Sequence, residues 1–256
     1  MAPITIIQKY AVRALLTLRY GYHGVTRTGC FGRGQARYFT PAPSDTTGPS
    51  LRAGLFRHHV KQFHEASCSV ASVVSAINTL AERTMGPKAR PVTQAQLLDR
   101  VNAAHWKERM GPNGHNGRRG LPIDVLAQVI RSSLFAYAIP HTAVDVIHAR
   151  GGKDAAAVKA KIKTCLNAFQ TQDNCIIIAH FDQGSFIKEM NIPHISPVGG
   201  FDPNTEQVTI LDVDPCQPLP YNLPFFRFYK GLATAYGGLF KPFGYGRGGI
   251  VVIRLE

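Results

Sequence analysis

Gln62, Cys68, His194 and Asp212 together hold the ingredients of thiol-based acyl transfer. Gln62 stands six residues before Cys68 in KQFHEASCSVASVVSAINTL, residues 61–80. Cys68 opens a run in which Val70, Val73, Val74, Ile77 and Leu80 recur at helical spacing. A thiol at a helix start is favoured as thiolate by the unpaired N–H groups and the helix dipole. Most cysteines are small buried hydrophobes, so one thiol proves little; the chemistry also needs a base, a group to orient it and donors for the oxyanion. His194 opens the apolar run HISPVGGF, 126 residues after Cys68, and Asp212 lies in QVTILDV, 18 residues after His194. The turn sequence DPNTE makes these runs a hairpin, in which imidazole and carboxylate meet side by side. Gln62 and the Cys68 N–H are the candidate oxyanion donors. Asp214 would share the strand face with Asp212 and is a rival orienter, but Pro215 marks the strand's end there.

The elements that must carry these groups follow from pattern. The Cys68 helix comes first, its apolar stripe marking core. TQAQLLDRVNAA follows with Thr93 as N-cap, then LPIDVLAQVIRSSL with Pro122 in its first turn, then DAAAVKAKIKTCLNAF. GPNGHNGRRG, 111–120, is a glycine-rich basic loop. CIIIAHF, the hairpin, and GGIVVIRL near the end read as strands. Helices first and strands afterwards predict an α+β fold with an antiparallel sheet, a helical half and a sheet half.

The chain has 256 residues and a net charge of +13. Residues 1–44 hold Lys9, Arg13, Arg19, Arg27, Arg33 and Arg37 and no acid. Residues 1–24 fit a targeting sequence or an amphipathic first element, and 25–50 read as linker, so residues 1–49 form a basic segment and 50–256 the catalytic domain. No nucleic-acid module stands out, and the basic surface equally suits a small anionic substrate. No apolar run is long enough for a membrane span. Five cysteines without a C-x-x-C pair point to a reducing compartment, the cytoplasm by default, and to neither a disulfide framework nor a zinc finger. His58, His59 and His64 lack a carboxylate at ligand spacing and read as loop histidines, so no metal site is expected. Oligomeric state is not encoded in any visible repeat.

Gln62 and Cys68 have the spacing found in papain-like cysteine peptidases, although the local peptidase signature around the cysteine is absent. VKQFHEASCSVASVVSAINTL and HISPVGGFDPNTEQVTILDV resemble, in order and in register, two blocks of the phytochelatin synthases. RGLPIDVLAQVIRSSLF is weakly similar to a helix between them. The resemblance spans roughly residues 52–255 and is to the short bacterial-type form, without the C-terminal cysteine-rich domain. It implies a papain-like fold with Cys68, His194 and Asp212 as catalytic triad. It also implies an enzyme acting on the Cys–Gly amide of glutathione through a γ-glutamylcysteinyl thioester. Ser69 replaces the family's glycine after the nucleophile. The strand CIIIAHFDQG lacks the family's following arginine, and Asp182 stands near that place. Arg247, before the last strand, matches a family arginine suited to clamping a carboxylate. The resemblance implies no tightly bound cofactor, with cadmium or zinc entering as a glutathione thiolate. Hydrolysis is expected to dominate over transfer to a second glutathione. The other readings are a metal-activated synthase, a peptidase or deamidase on protein substrates, and a non-catalytic basic binding module.

Overall fold

The computed structural model describes residues 35–86, 88–111, 113–187, 192–234 and 246–255, with six helical, exposed positions between Ile7 and Leu18 before them. The remainder of residues 1–34, including Cys30, lies outside the described residues. In chain order the described elements are β1 (Arg37–Tyr38), α1 (Pro43–Thr46), α2 (Leu51–Arg57), α3 (Cys68–Met85), α4 (Gln94–Arg100), α5 (Trp106–Met110), α6 (Ile123–Ala136), β2 (Ala143–His148), α7 (Ala155–Gln172), β3 (Cys175–Asp182), β4 (Pro193–Asp202), β5 (Gln207–Ile210), β6 (Tyr221–Pro224), α8 (Phe225–Ala233) and β7 (Gly249–Arg254). No described helix is long and apolar enough to cross a membrane.

The fold is α+β. The strands form one sheet in the order β1-β6-β5-β4-β3-β7-β2, with every pairing antiparallel. Helices and strands do not segregate along the chain as the sequence suggests: β2 precedes α7, and α8 follows β6. Within the stretch read as linker, Arg37 and Tyr38 pair with Asn222 and Tyr221, and Tyr38 Oη donates to Gln217 Oε1.

α3 is buried on nearly every side, from Ser69 to Ala81, and not along one stripe. Most of its buried polar positions are small hydroxyl residues, several of which return their hydrogen bonds to backbone. Ser75 Oγ donates to Ala71 O and Thr79 Oγ1 to Ser75 O, so burial leaves these groups satisfied. Gly54 lets α2 press against this helix: a Cβ there would stand 2.7 Å from Thr79 Cγ2. Ser72 Oγ donates both to Cys68 O at 2.8 Å and across to Ile195 O of β4 at 3.0 Å. The start of the cysteine helix is thereby fixed to the strand residue next to His194. All eight residues of β3 are buried, as suits a strand inside the sheet with helices packed against it.

Candidate active site

Cys68 is the first residue of α3, and Ser67 before it does not cap the helix with its side chain. Its hydroxyl turns back instead, donating to His64 O and accepting from His64 N. The N–H groups of the first turn are therefore left for whatever lies at the thiol. Cys68 is partly exposed; Ser69 behind it is buried. Trp106 Nε1, fully buried, donates to Ser69 Oγ at 3.0 Å. The serine after the cysteine thus supplies the acceptor that the indole needs in the core.

His194 lies near the start of β4, paired with Phe181 of β3, whose ring meets the imidazole edge-on. β5 ends at Ile210, so Asp212 sits two residues past the strand rather than on it. The hairpin ladder nevertheless runs on through Leu211 N to Pro197 O, and His194 Nε2 donates to Asp212 Oδ1 at 2.7 Å. With Nε2 engaged, Nδ1 is the nitrogen left for sulfur, and Cys68 is close enough to the ring to help favour its protonated form. Burial works against the imidazolium, but the Asp212 charge, its hydrogen bond and Cys68 together raise the His194 pKa above its ordinary value. Burial likewise works against the Asp212 carboxylate. The His194 charge and N–H, the Asp214 N–H and Tyr221 outweigh it and hold its pKa low.

Asp212 is fully buried, and its oxygens are filled from several directions. Oδ2 accepts from Tyr221 Oη at 2.7 Å, and Oδ1 also accepts from Asp214 N at 2.9 Å. Burial and the neighbouring carboxylate push the Tyr221 pKa well up, so its phenol remains a donor. Asp214, the rival, is engaged elsewhere: Oδ2 accepts from Gln183 Nε2 and Oδ1 from Cys216 N. None of these partners was visible in sequence. Neither was Lys61, whose Nζ donates to Asp212 O and Gln217 O, each at 2.6 Å.

Gln62 N donates to Val213 O at 2.8 Å, so the strand after the triad carboxylate holds the segment before the cysteine. The Gln62 Oε1 is buried with no hydrogen-bond partner among the described residues. Gln62, Cys68, His194 and Asp212 are thus gathered at one end of the sheet. Arg247 lies just before β7, whose first residue, Gly249, pairs with His180. It is at that same end and is exposed, with its guanidinium 4.0 Å from where a Gly151 Cβ would stand.

A family model described as phytochelatin synthase matches residues 47–240, three quarters of the chain, and takes in Gln62, Cys68, His194 and Asp212 but not Arg247. The chain belongs to the phytochelatin synthase family. No curated protein matches it. Enzymes of this family use glutathione and carry out γ-glutamylcysteine transfer.

Other titratable residues surround this centre or lie beyond it. His58 Nε2 pairs with Glu82, His64 Nδ1 accepts from Ala66 N, and burial lowers the His59 pKa to about 4. His180 on β3 is buried with neither ring nitrogen hydrogen-bonded among the described residues, and burial together with the nearby His194 charge lowers its pKa to about 4. Asp182 is fully buried and accepts from Ser185 Oγ at 2.6 Å. Its carboxyl group is engaged internally and does not face an incoming substrate. A cavity of about 800 Å³ lies at the far end of α3, but its Arg57–Glu82 and Arg83–Asp173 pairs are already made and it does not reach the thiol.

Proposed function

We propose that this protein is a cysteine-nucleophile enzyme of papain-like fold that cleaves the Cys–Gly amide of glutathione and releases glycine, with water as the main acceptor. The observation that carries this reading is the buried His194–Asp212 hydrogen bond beside a thiol at a helix start. Cys68 sulfur attacks the amide carbonyl, and the charge that develops on oxygen is held by the Cys68 N–H and the Gln62 amide. His194 gives its proton to the leaving glycine nitrogen as the C–N bond breaks, leaving a γ-glutamylcysteinyl thioester. Neutral His194 then takes a proton from water as the hydroxyl adds to the thioester, and γ-glutamylcysteine leaves as the thiolate re-forms. Arg247 is the proposed clamp for a substrate carboxylate.

Hydrolysis is proposed as the main fate because Cys68 is partly exposed, and water at about 55 M competes unless a second site gives an acceptor a large effective molarity. The cation that the family carries after its corresponding strand is absent at Asp182. No tightly bound cofactor is part of the reaction; cadmium or zinc would act as the glutathione thiolate. Product analysis at millimolar glutathione, with and without cadmium, tests the reading. Glycine and γ-glutamylcysteine are the expected main products. A product of two γ-glutamylcysteine units ending in glycine, formed in excess, makes the protein a synthase; no glycine release under either condition rejects glutathione cleavage.

Gln62→Ala removes one oxyanion donor and is expected to lower kcat about 10²- to 10³-fold with a small change in KM. A loss confined to KM would assign Gln62 to substrate binding instead.

A further inference from the structure

We propose that His105, Glu108 and His115 form a binding site for one divalent cation of the zinc class, separate from the thiols. Nδ1 of His105 lies 3.1 Å from Glu108 Oε1, and Nδ1 of His115 lies 2.8 Å from Glu108 Oε2. A ligand atom from each residue falls within 4.8 Å of the others. Ligand atoms around a tetrahedral zinc stand about 3.4 Å apart when each bond is about 2.1 Å long. The cluster needs only a modest rearrangement of its side chains to meet that, leaving a position for water. Imidazole and carboxylate are also the donors that zinc-class cations accept.

The backbone is bent to make this cluster. Ala104 and His105 are consecutive non-glycine residues with φ of +54°, in the left-handed region that L-residues seldom occupy. Exposed His–Glu ion pairs alone return little against such strain; the side chains of His105 and Glu108 are 57% and 60% exposed. On the other side, Asn116 and Gly117 both have positive φ, and His115 and Arg118 exchange backbone hydrogen bonds of 3.1 and 2.9 Å. This is a two-residue hairpin turn, and it stacks the His115 ring on that of His105 with centroids 3.7 Å apart. Asn116 contributes an amide 2.9 Å from His115 Nε2. Turned so that its oxygen faces that nitrogen, the amide would hold the proton on Nε2 and free Nδ1 for a cation.

The cluster is anchored beside the catalytic helix. Trp106, next to His105, donates to Ser69, next to Cys68. Arg119, four residues after His115, pairs with Glu65 at 2.6 Å, three residues before Cys68. A bound cation would fasten α5 to the 113–118 turn and steady both flanks of the thiol, whether or not glutathione is the substrate.

The test is anaerobic titration of the full chain with cobalt(II), in a Cys68→Ala background, followed by visible spectroscopy and displacement by zinc. One equivalent is expected, with d–d bands, no thiolate-to-cobalt charge transfer, and full displacement by one equivalent of zinc. His105→Ala/His115→Ala should abolish that equivalent. Glu108→Gln, an exposed change that keeps the side-chain shape, should weaken binding at least tenfold. His148→Ala, remote from the cluster, should leave it intact. Undiminished binding in both the double variant and Glu108→Gln, a spectrum dominated by thiolate ligation, or no saturable binding would overturn the site.

Discussion

Cys68→Ala is expected to abolish glycine release from glutathione, a loss of at least about 10⁴-fold, while the protein stays folded. Thiol acyl transfer has no substitute nucleophile once the sulfur is gone, and what oxyanion donors retain over water is small beside the loss. The other described thiols cannot stand in. Cys165 and Cys175 are buried, and burial pushes the Cys175 pKa up to about 11, so only about one molecule in 10⁴ is thiolate at neutral pH. Cys216 is exposed, with its N–H bonded to Asp214. The variant should melt within about 4 °C of the parent, because Cys68 is half-buried and Ser72 still ties α3 to β4. Single alanine changes at Cys165, Cys175 and Cys216 should keep most of the activity. The measurement is glycine and γ-glutamylcysteine release by chromatography, with thermal melts alongside. Parental turnover in Cys68→Ala would end the case for this nucleophile.

The parts of the fold that were legible in sequence are those whose own side chains declare them. CIIIAHF is an apolar β-branched run and is β3; the capping box of Thr93 and Gln96 starts α4 where the sequence places it. HISPVGGF and QVTI pair across the DPNTE turn, as that turn sequence signals. The elements that escaped notice depend on partners. β6, YNLP, contains a proline and forms only between β5 and β1. α8, FFRFYKGLA, has aromatic residues that suit a strand as well as a helix, and packing decides between them. The Asn116–Gly117 turn carried a hairpin signal, but His115 and Arg118 beside it are not apolar, so it read as loop. The site divides in the same way. Spacing together with the family resemblance pointed to Cys68, Gln62, His194 and Asp212, whereas Tyr221, Lys61 and Ser196 meet Asp212 only through tertiary folding.

Those hidden partners shape what a change at Asp212 should do. Asp212→Ala is expected to lower kcat/KM about 10²- to 10³-fold and Asp212→Asn about 10-fold, measured as glycine release. Alanine leaves the imidazole without an acceptor and Tyr221 Oη without the oxygen 2.7 Å away. Asparagine keeps an acceptor for His194 Nε2 but loses the charge that favours imidazolium. The His194 pKa should therefore fall, and the alkaline limb of the rate profile should move to lower pH in Asp212→Asn. Stability should follow the same linkage. The raised His194 pKa contributes stability fully below its ordinary 6.5, lost as pH rises through the folded value. The depressed Asp212 pKa contributes above its ordinary 3.8, lost as pH falls through the folded value. The pair is coupled, so the stability gap between parent and Asp212→Asn should be widest between those two values and narrow on either side. Tyr221→Phe, which removes one donor and keeps the charge, should shift the alkaline limb far less than Asp212→Asn. Equal turnover in Asp212→Ala and the parent would reject Asp212 as the group that orients His194, and an unmoved alkaline limb in Asp212→Asn would show that its charge does not set the imidazolium.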